Sequence, residues 1–175
     1  MGARPIPALD RPPGGRGRHP APLLPRRHPQ QTPDRTHPVV CHHDPGPNNT
    51  VFTNDIPTAF IDFDTAAPGD PLEELGYMAW TWCISSKPSA PPATVQAAQV
   101  RVLADAYGLD ATSRHRLIEA ALDRQARNAR WWHSHLAGPF PHVADDHTIA
   151  RRIKWSEQEH AYTSANRKTF DTALG

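Results

Sequence analysis

Lysine is missing from the first half of this 175-residue chain; the first one is Lys87. Cysteine is scarce as well. Cys41 and Cys83 are too few and too far apart for a disulfide scaffold or a four-ligand zinc site. Both read as reduced thiols, small buried apolar groups of a cytoplasmic protein. No run approaches the roughly 18 apolar residues needed to cross a bilayer. The N-terminus lacks an apolar stretch of the roughly 7–15 residues that a secretory signal needs. Neither a membrane partner nor export is therefore expected.

What is present is unevenly spread. Ten of the 20 prolines fall in residues 1–38, with seven Arg against two acids, a net of +5. Residues 39–175 carry 12 basic and 16 acidic groups, a net of −4. A nucleic-acid binder would be expected to hold its positive charge on the folded part, so nucleic acid is not an expected partner. Residues 1–37 have no hydrophobic period, and proline recurs too often for helix or central strand. They read as a disordered Pro/Arg-rich arm, whose Arg16, Arg18, Arg26 and Arg27 could touch an acidic partner. Residues 38–175 read as one domain.

Within that domain Val39-Val40-Cys41 is a short apolar run. Thr50–Thr53 and Thr58–Ile61 have strand composition, with turn chemistry at Asn54-Asp55-Ile56-Pro57, so a hairpin is predicted. Asp70-Pro71 then opens a helix that carries Leu72, Leu75, Met78, Ala79 and Trp82 on one side. A second helix runs from Val95 to Tyr107 with Gly108 as its stop. A third is capped by Thr112 and reaches about Leu136, before Gly138-Pro139. A last one spans about Asp145 to Leu174. Short strands followed by helices give an α+β class.

Chemistry concentrates between Val39 and Trp82. Asp44 follows an apolar run in a loop, Asn49 stands at the start of the next strand, and Asp62 ends the hairpin. A hairpin returns Asp62 beside Asn49, and the short loop brings Asp44 to the same mouth. Phosphoryl transfer needs such a set: one carboxylate to take the proton of the attacking hydroxyl, and hard oxygens to hold Mg²⁺.

The stretch resembles the aminoglycoside phosphotransferase and choline kinase family, relatives of the protein kinases. The pattern H-x-D-x-x-x-x-N is met by His42-His43-Asp44-Pro45-Gly46-Pro47-Asn48-Asn49, the I-D-[FW] element by Ile61-Asp62-Phe63, and G-D-P by Gly69-Asp70-Pro71. The resemblance is closest over residues 39–84. It implies a protein-kinase-like C-terminal lobe in which Asp44 is the catalytic base, Asn49 and Asp62 are magnesium ligands, and His42 holds the catalytic loop. It implies ATP or another nucleoside triphosphate as phosphoryl donor and a small-molecule hydroxyl as acceptor; a cationic acceptor is one option that the acidic body leaves open.

Other residues have competing readings. Asp64 could back up the metal or cap the loop, with the cap favoured; Asp70 reads as an N-cap, and His43 as exposed. His42-His43-Asp44 could belong to a metal-dependent phosphohydrolase, but Pro45 and Pro47 place it in a loop. His133 and His135 could hold zinc, yet positions two apart on a helix do not face each other. Trp131, Trp132 and Trp155 could stack on a sugar-like substrate or be core. Asp145, Asp146, Glu157 and Glu159 could attract a polycation or form a solvated face.

The family's nucleotide lobe, with a phosphate-binding Lys and its partner Glu, has no counterpart before Asp44; Gly14-Gly15-Arg16-Gly17 has neither strand nor Lys beside it. Two origins fit. One is a truncated or shifted reading frame, which the composition of the arm favours. The other is a stand-alone lobe, either a non-catalytic binding module or one that takes an N-lobe partner chain. The isolated chain is then expected to be weakly active or inactive, with Val51, Phe52 and Phe60 partly exposed and open to self-association.

Overall fold

The computed structural model describes residues 39–137 and 144–175. The expected arm at 1–37 and the Gly138-Pro139 stop lie outside the described residues. The described part is mostly helical, with two small antiparallel ribbons. Among the described residues no helix is long and apolar enough to cross a membrane.

Strand β1 (Val39–Cys41) pairs with β4 (Ala67–Gly69) in the register Val39↔Gly69, Val40↔Pro68 and Cys41↔Ala67. This pairing was not foreseen, because β4 is three residues containing Pro and Gly. Strands β2 (Thr50–Thr53) and β3 (Ile56–Phe60) form the expected hairpin. Its turn is only Asn54-Asp55, both at positive φ (51° and 63°), as a two-residue turn matched to strand twist requires. Residues 56 and 57 therefore belong to the strand and not to the turn. Pro57 is tolerated because the ribbon has only two strands, and the register shifts beside its partner Phe52.

Helix α1 (Pro71–Met78) starts where expected, with Asp70 accepting from the Leu72 N–H at 2.8 Å. It runs on into a π turn (Ala79–Cys83). Helix α2 (Ala93–Tyr107) ends at Gly108, whose φ of 78° needs a residue without Cβ. Helix α3 (Ala111–Ala137) is not capped by Thr112. Asp110 does that: its carboxylate accepts from the Ser113 N–H at 2.7 Å and its carbonyl from the Arg114 N–H. The expected last helix is two, α4 (Asp146–Ala165) and α5 (Arg167–Leu174), broken at Asn166. The Asn166 side chain donates to the Tyr162 carbonyl (2.9 Å). After the break Phe170 and Leu174 turn into the core.

That core joins Leu72, Leu75, Ala79 and Ile84 to Ala97, Val100 and Ala104 of α2, Leu117, Ile118 and Leu122 of α3, and Phe170 and Leu174 of α5. Helix α3 packs on both α1 and α4, and α2 packs on α5. The β2–β3 hairpin stays outside this core. Val51, Phe52, Ile56 and Phe60 are all exposed, as expected for the three of them singled out from the sequence.

Candidate active site

The site is a loop held from beneath by a helix. Glu74, on α1, receives two consecutive backbone N–H groups from the loop after β1: His42 N–H at 2.7 Å on one carboxylate oxygen and His43 N–H at 2.8 Å on the other. Just after the second donor the chain bends at His43, which sits in the left-handed region (φ 64°). His43 is half-buried rather than fully exposed; its ring lies against Gly69, where a Cβ would come within 2.9 Å of it.

His42 is buried and ties this loop to the hairpin. Its Nε2 meets the Ile61 carbonyl at 3.0 Å, so it is the donor there, and Nδ1 is left to accept from the Asp44 N–H at 3.3 Å. The ring packs against Phe63 (centroids 4.4 Å apart) and Phe60 (5.8 Å). The His42 carbonyl accepts from the Thr65 hydroxyl at 2.8 Å. Thr65, and not Asp64, thus ties the turn after β3, and Asp64 is exposed.

Asp44 and Asn49 are in direct contact. The Asn49 side-chain N–H₂ donates both to the Asp44 carbonyl (3.0 Å) and to its Oδ2 (2.8 Å). That double use of the amide nitrogen leaves the Asn49 Oδ1 as a free acceptor. The residue before Asp62 is bonded to this loop: the Ile61 N–H donates to the Asn49 carbonyl at 2.9 Å. Asp62 itself is exposed, with left-handed backbone (φ 65°) and a side chain that does not cap the turn following it. The two groups supply hard oxygens of the kind Mg²⁺ takes.

Three residues that sequence reasoning missed complete the surroundings. Glu74 has been described. Tyr77, one turn further along α1, donates its hydroxyl to Asp44 Oδ1. Arg124, on α3, lies over the Tyr77 ring, 4.8 Å from its centroid, and donates to the His43 carbonyl at 2.8 Å. Burial, then the Asp44 charge and the hydrogen bond to it, pushes the Tyr77 phenol well above its usual range, against the pull of Arg124 and Arg152. Burial also lowers Arg124. Glu74 and Tyr77 follow a G-D-P element that reads as a helix start, so their charge and hydroxyl pass for surface groups. Nothing in the local sequence links Arg124 to a loop 80 residues earlier.

The other side-chain candidates are placed apart from Asp44 or spent elsewhere. Trp155 stacks on buried Trp80 (4.6 Å, 23°), while Trp131 and Trp132 pack against each other edge to face. His133 pairs with Glu157 at 3.1 Å and His135 meets the Trp131 carbonyl at 2.8 Å. Among the described residues no cluster of three or more His, Cys, Asp or Glu is arranged for a metal. Asp145 caps α4 through the Thr148 N–H. Glu159 is buried, not solvated: both its oxygens accept from the Ser86 N–H at 3.1 Å, and one from the Ser86 hydroxyl at 2.8 Å. Cys41 and Cys83 are free thiols, both raised by burial, Cys83 to about 12.

Residues 7–118 match the model of the phosphotransferase enzyme family. The match takes in Asp44, Asn49, Asp62, Glu74 and Tyr77, and starts within the segment that reads as an arm. The chain is also similar to a trifolitoxin immunity protein from Rhizobium leguminosarum bv. trifolii, with 28% identity over 146 residues, which cover 78% of this chain and 54% of that protein. The chain therefore spans about half the length of this curated relative. No solved structure matches it.

Proposed function

The chain belongs to the phosphotransferase enzyme family, and on that premise we propose that it is the catalytic, protein-kinase-like lobe of a small-molecule kinase. It passes the γ-phosphoryl group of a nucleotide to a substrate hydroxyl. The observation that carries this reading is the Asp44–Asn49 contact in the H-x-D-x-x-x-x-N loop. Asp44 is the base: a carboxylate has about four acceptor sites, Tyr77 and Asn49 each take one, and the remainder can receive the proton of the attacking hydroxyl. His42 and Glu74 hold the loop. Asn49, through Oδ1, and Asp62 are the residues that would hold Mg²⁺, whose chemistry would be to offset charge on the phosphate oxygens. ATP is the proposed donor nucleotide, and the acceptor is a small-molecule hydroxyl. The exposed Val51, Phe52, Phe60, Ile61 and Phe63 support an N-lobe partner or a second copy covering the hairpin, and the lobe alone is weakly active. The cell compartment proposed is the cytoplasm.

A second reading rests on the relative, which is named for immunity to trifolitoxin. On it, the chain is a non-catalytic module that binds a toxin-like ligand. Isothermal titration with Mg²⁺–ATP separates the two. Binding that Asp62→Ala weakens supports the kinase lobe, and no heat of binding supports the module. Where turnover is found, Asp44→Asn lowers it by about 10²–10⁴-fold, the usual worth of a general base, with nucleotide affinity nearly kept; unchanged turnover removes Asp44 as the base.

A further inference from the structure

We propose that Tyr77 is a positioning residue for Asp44, clamped in place by Arg124. This rests on the reading of Asp44 as the base and adds to it the group that aims the carboxylate. The hydroxyl of Tyr77 donates to Asp44 Oδ1 while Asn49 donates to Oδ2. The carboxylate is thereby held at both oxygens, by residues 33 positions on and five positions on in the chain. Rotating it about its Cβ–Cγ bond would break both hydrogen bonds at once.

Tyr77 can play this part because its own ring is fixed. The Arg124 guanidinium covers one face at 4.8 Å, and Trp80 meets the ring at right angles with centroids 5.7 Å apart. Arg124 is in turn anchored on the His43 carbonyl, the residue next to Asp44. Loop, tyrosine and arginine thus close a ring of contacts drawn from three elements. A buried phenol must find a partner for its O–H, but packing alone would be served as well by phenylalanine. The hydroxyl is what distinguishes a positioning role from a filling one.

The test compares the full chain with Tyr77→Phe, and uses Tyr107→Phe, an exposed site, as control. One readout needs no turnover. The Tyr77 hydroxyl is linked to the Asn49 side-chain amide through the Asp44 carboxylate, so the Asn49 side-chain amide resonances in ¹⁵N–¹H spectra should move in Tyr77→Phe and stay in Tyr107→Phe. If they stay in both, the proposal is overturned. The second readout is phosphate release from Mg²⁺–ATP. Tyr77→Phe should lower kcat about tenfold to a hundredfold, as slight misplacement of a reacting group does, with the KM for ATP within about twofold. A kcat that survives Tyr77→Phe while Asp44→Asn abolishes it also overturns the proposal. A wild-type chain without any turnover counts against the kinase reading instead, and the Asn49 resonances then decide the role of Tyr77 by themselves.

Discussion

Gly76→Ala should loosen the whole site by pushing two helices apart. Gly76 lies on α1 between Glu74 and Tyr77, at the crossing with α3. A Cβ there would stand 2.7 Å from the Ala120 carbonyl carbon, 2.8 Å from the Ala121 nitrogen and 2.9 Å from the Ala120 Cβ. Two of those atoms are helix backbone, so no side chain can swing away, and the helices must separate by several tenths of an ångström. Overpacking of this kind costs about 1–3 kcal/mol. Alanine returns about 1 kcal/mol of helix propensity, so the net effect should be a loss of up to about 2 kcal/mol. Urea unfolding of the full chain measures it as a lower midpoint at unchanged slope. Gly108→Ala is the instructive comparison. There nothing stands within 4 Å, yet φ is +78°, so its cost is conformational, about 1 kcal/mol, and Asn should recover part of it. A Gly76→Ala chain more stable than wild type by the full helix-propensity gain of about 1 kcal/mol would refute the close-crossing argument. Because α1 carries Glu74 and Tyr77 and α3 carries Arg124, the same variant should disturb the Asn49 amide resonances from a distance.

Glu74→Gln keeps one acceptor oxygen for two N–H donors, so it should destabilise by about 1–3 kcal/mol, and Glu74→Ala by more; equal stability of all three in urea would show that the loop does not depend on this helix. The buried Glu159 carboxyl is raised above its usual 4.5, chiefly by burial and against the Ser86 hydrogen bonds. In the window upward from pH 4.5 to the raised value, the native state binds more protons than the unfolded one, so stability falls as pH rises. Comparing denaturation midpoints at several pH values, Glu159→Gln should flatten that decline, and a variant with the same slope would count against it. The Cys83 thiol, held near 12 by burial, should react with iodoacetamide at pH 8 far more slowly in the folded chain than in urea, because thiolate is the nucleophile; equal rates would contradict its burial. In Asp44→Asn the Tyr77 phenol should ionise at lower pH, seen by ultraviolet absorbance, since the Asp44 charge and hydrogen bond both raise it.

Local signals were easy to read and crossing contacts were not. Asp70-Pro71, Gly108 and Asn54-Asp55 specify a helix start, a helix stop and a turn through the conformations they permit, so the elements around them appear as expected in kind, with bounds shifted by about two residues at β3 and at the start of α2. The His42-to-Asn49 loop and the return of Asp62 follow from hairpin geometry. The helix break at Asn166 was hidden because the apolar spacing runs through it. What breaks the helix is a side-chain bond to the Tyr162 carbonyl, which competes with helix continuation. Strand β4 was hidden because three residues with a proline carry almost no strand signal; they pair only because Val39–Cys41 lies alongside. The partners of Asp44 were hidden for a different reason. Glu74, Tyr77 and Arg124 look like ordinary helix-surface residues until the fold turns them inward.

Those three residues also explain how so short a loop can be definite. Five residues of loop, one of them proline, separate Cys41 from Pro47, and the hairpin beyond them is outside the core. The loop's shape must therefore come from the helices. Glu74 receives two of its N–H groups, Arg124 binds one of its carbonyls, Tyr77 holds the carboxylate, and the Trp82 indole N–H donates to the Pro45 carbonyl at 2.8 Å. All four come from the α1–π segment or from α3, the pair that meets at Gly76. The crossing that stabilises the fold is thus the same feature that places Asp44, so a change that weakens one should be felt in the other.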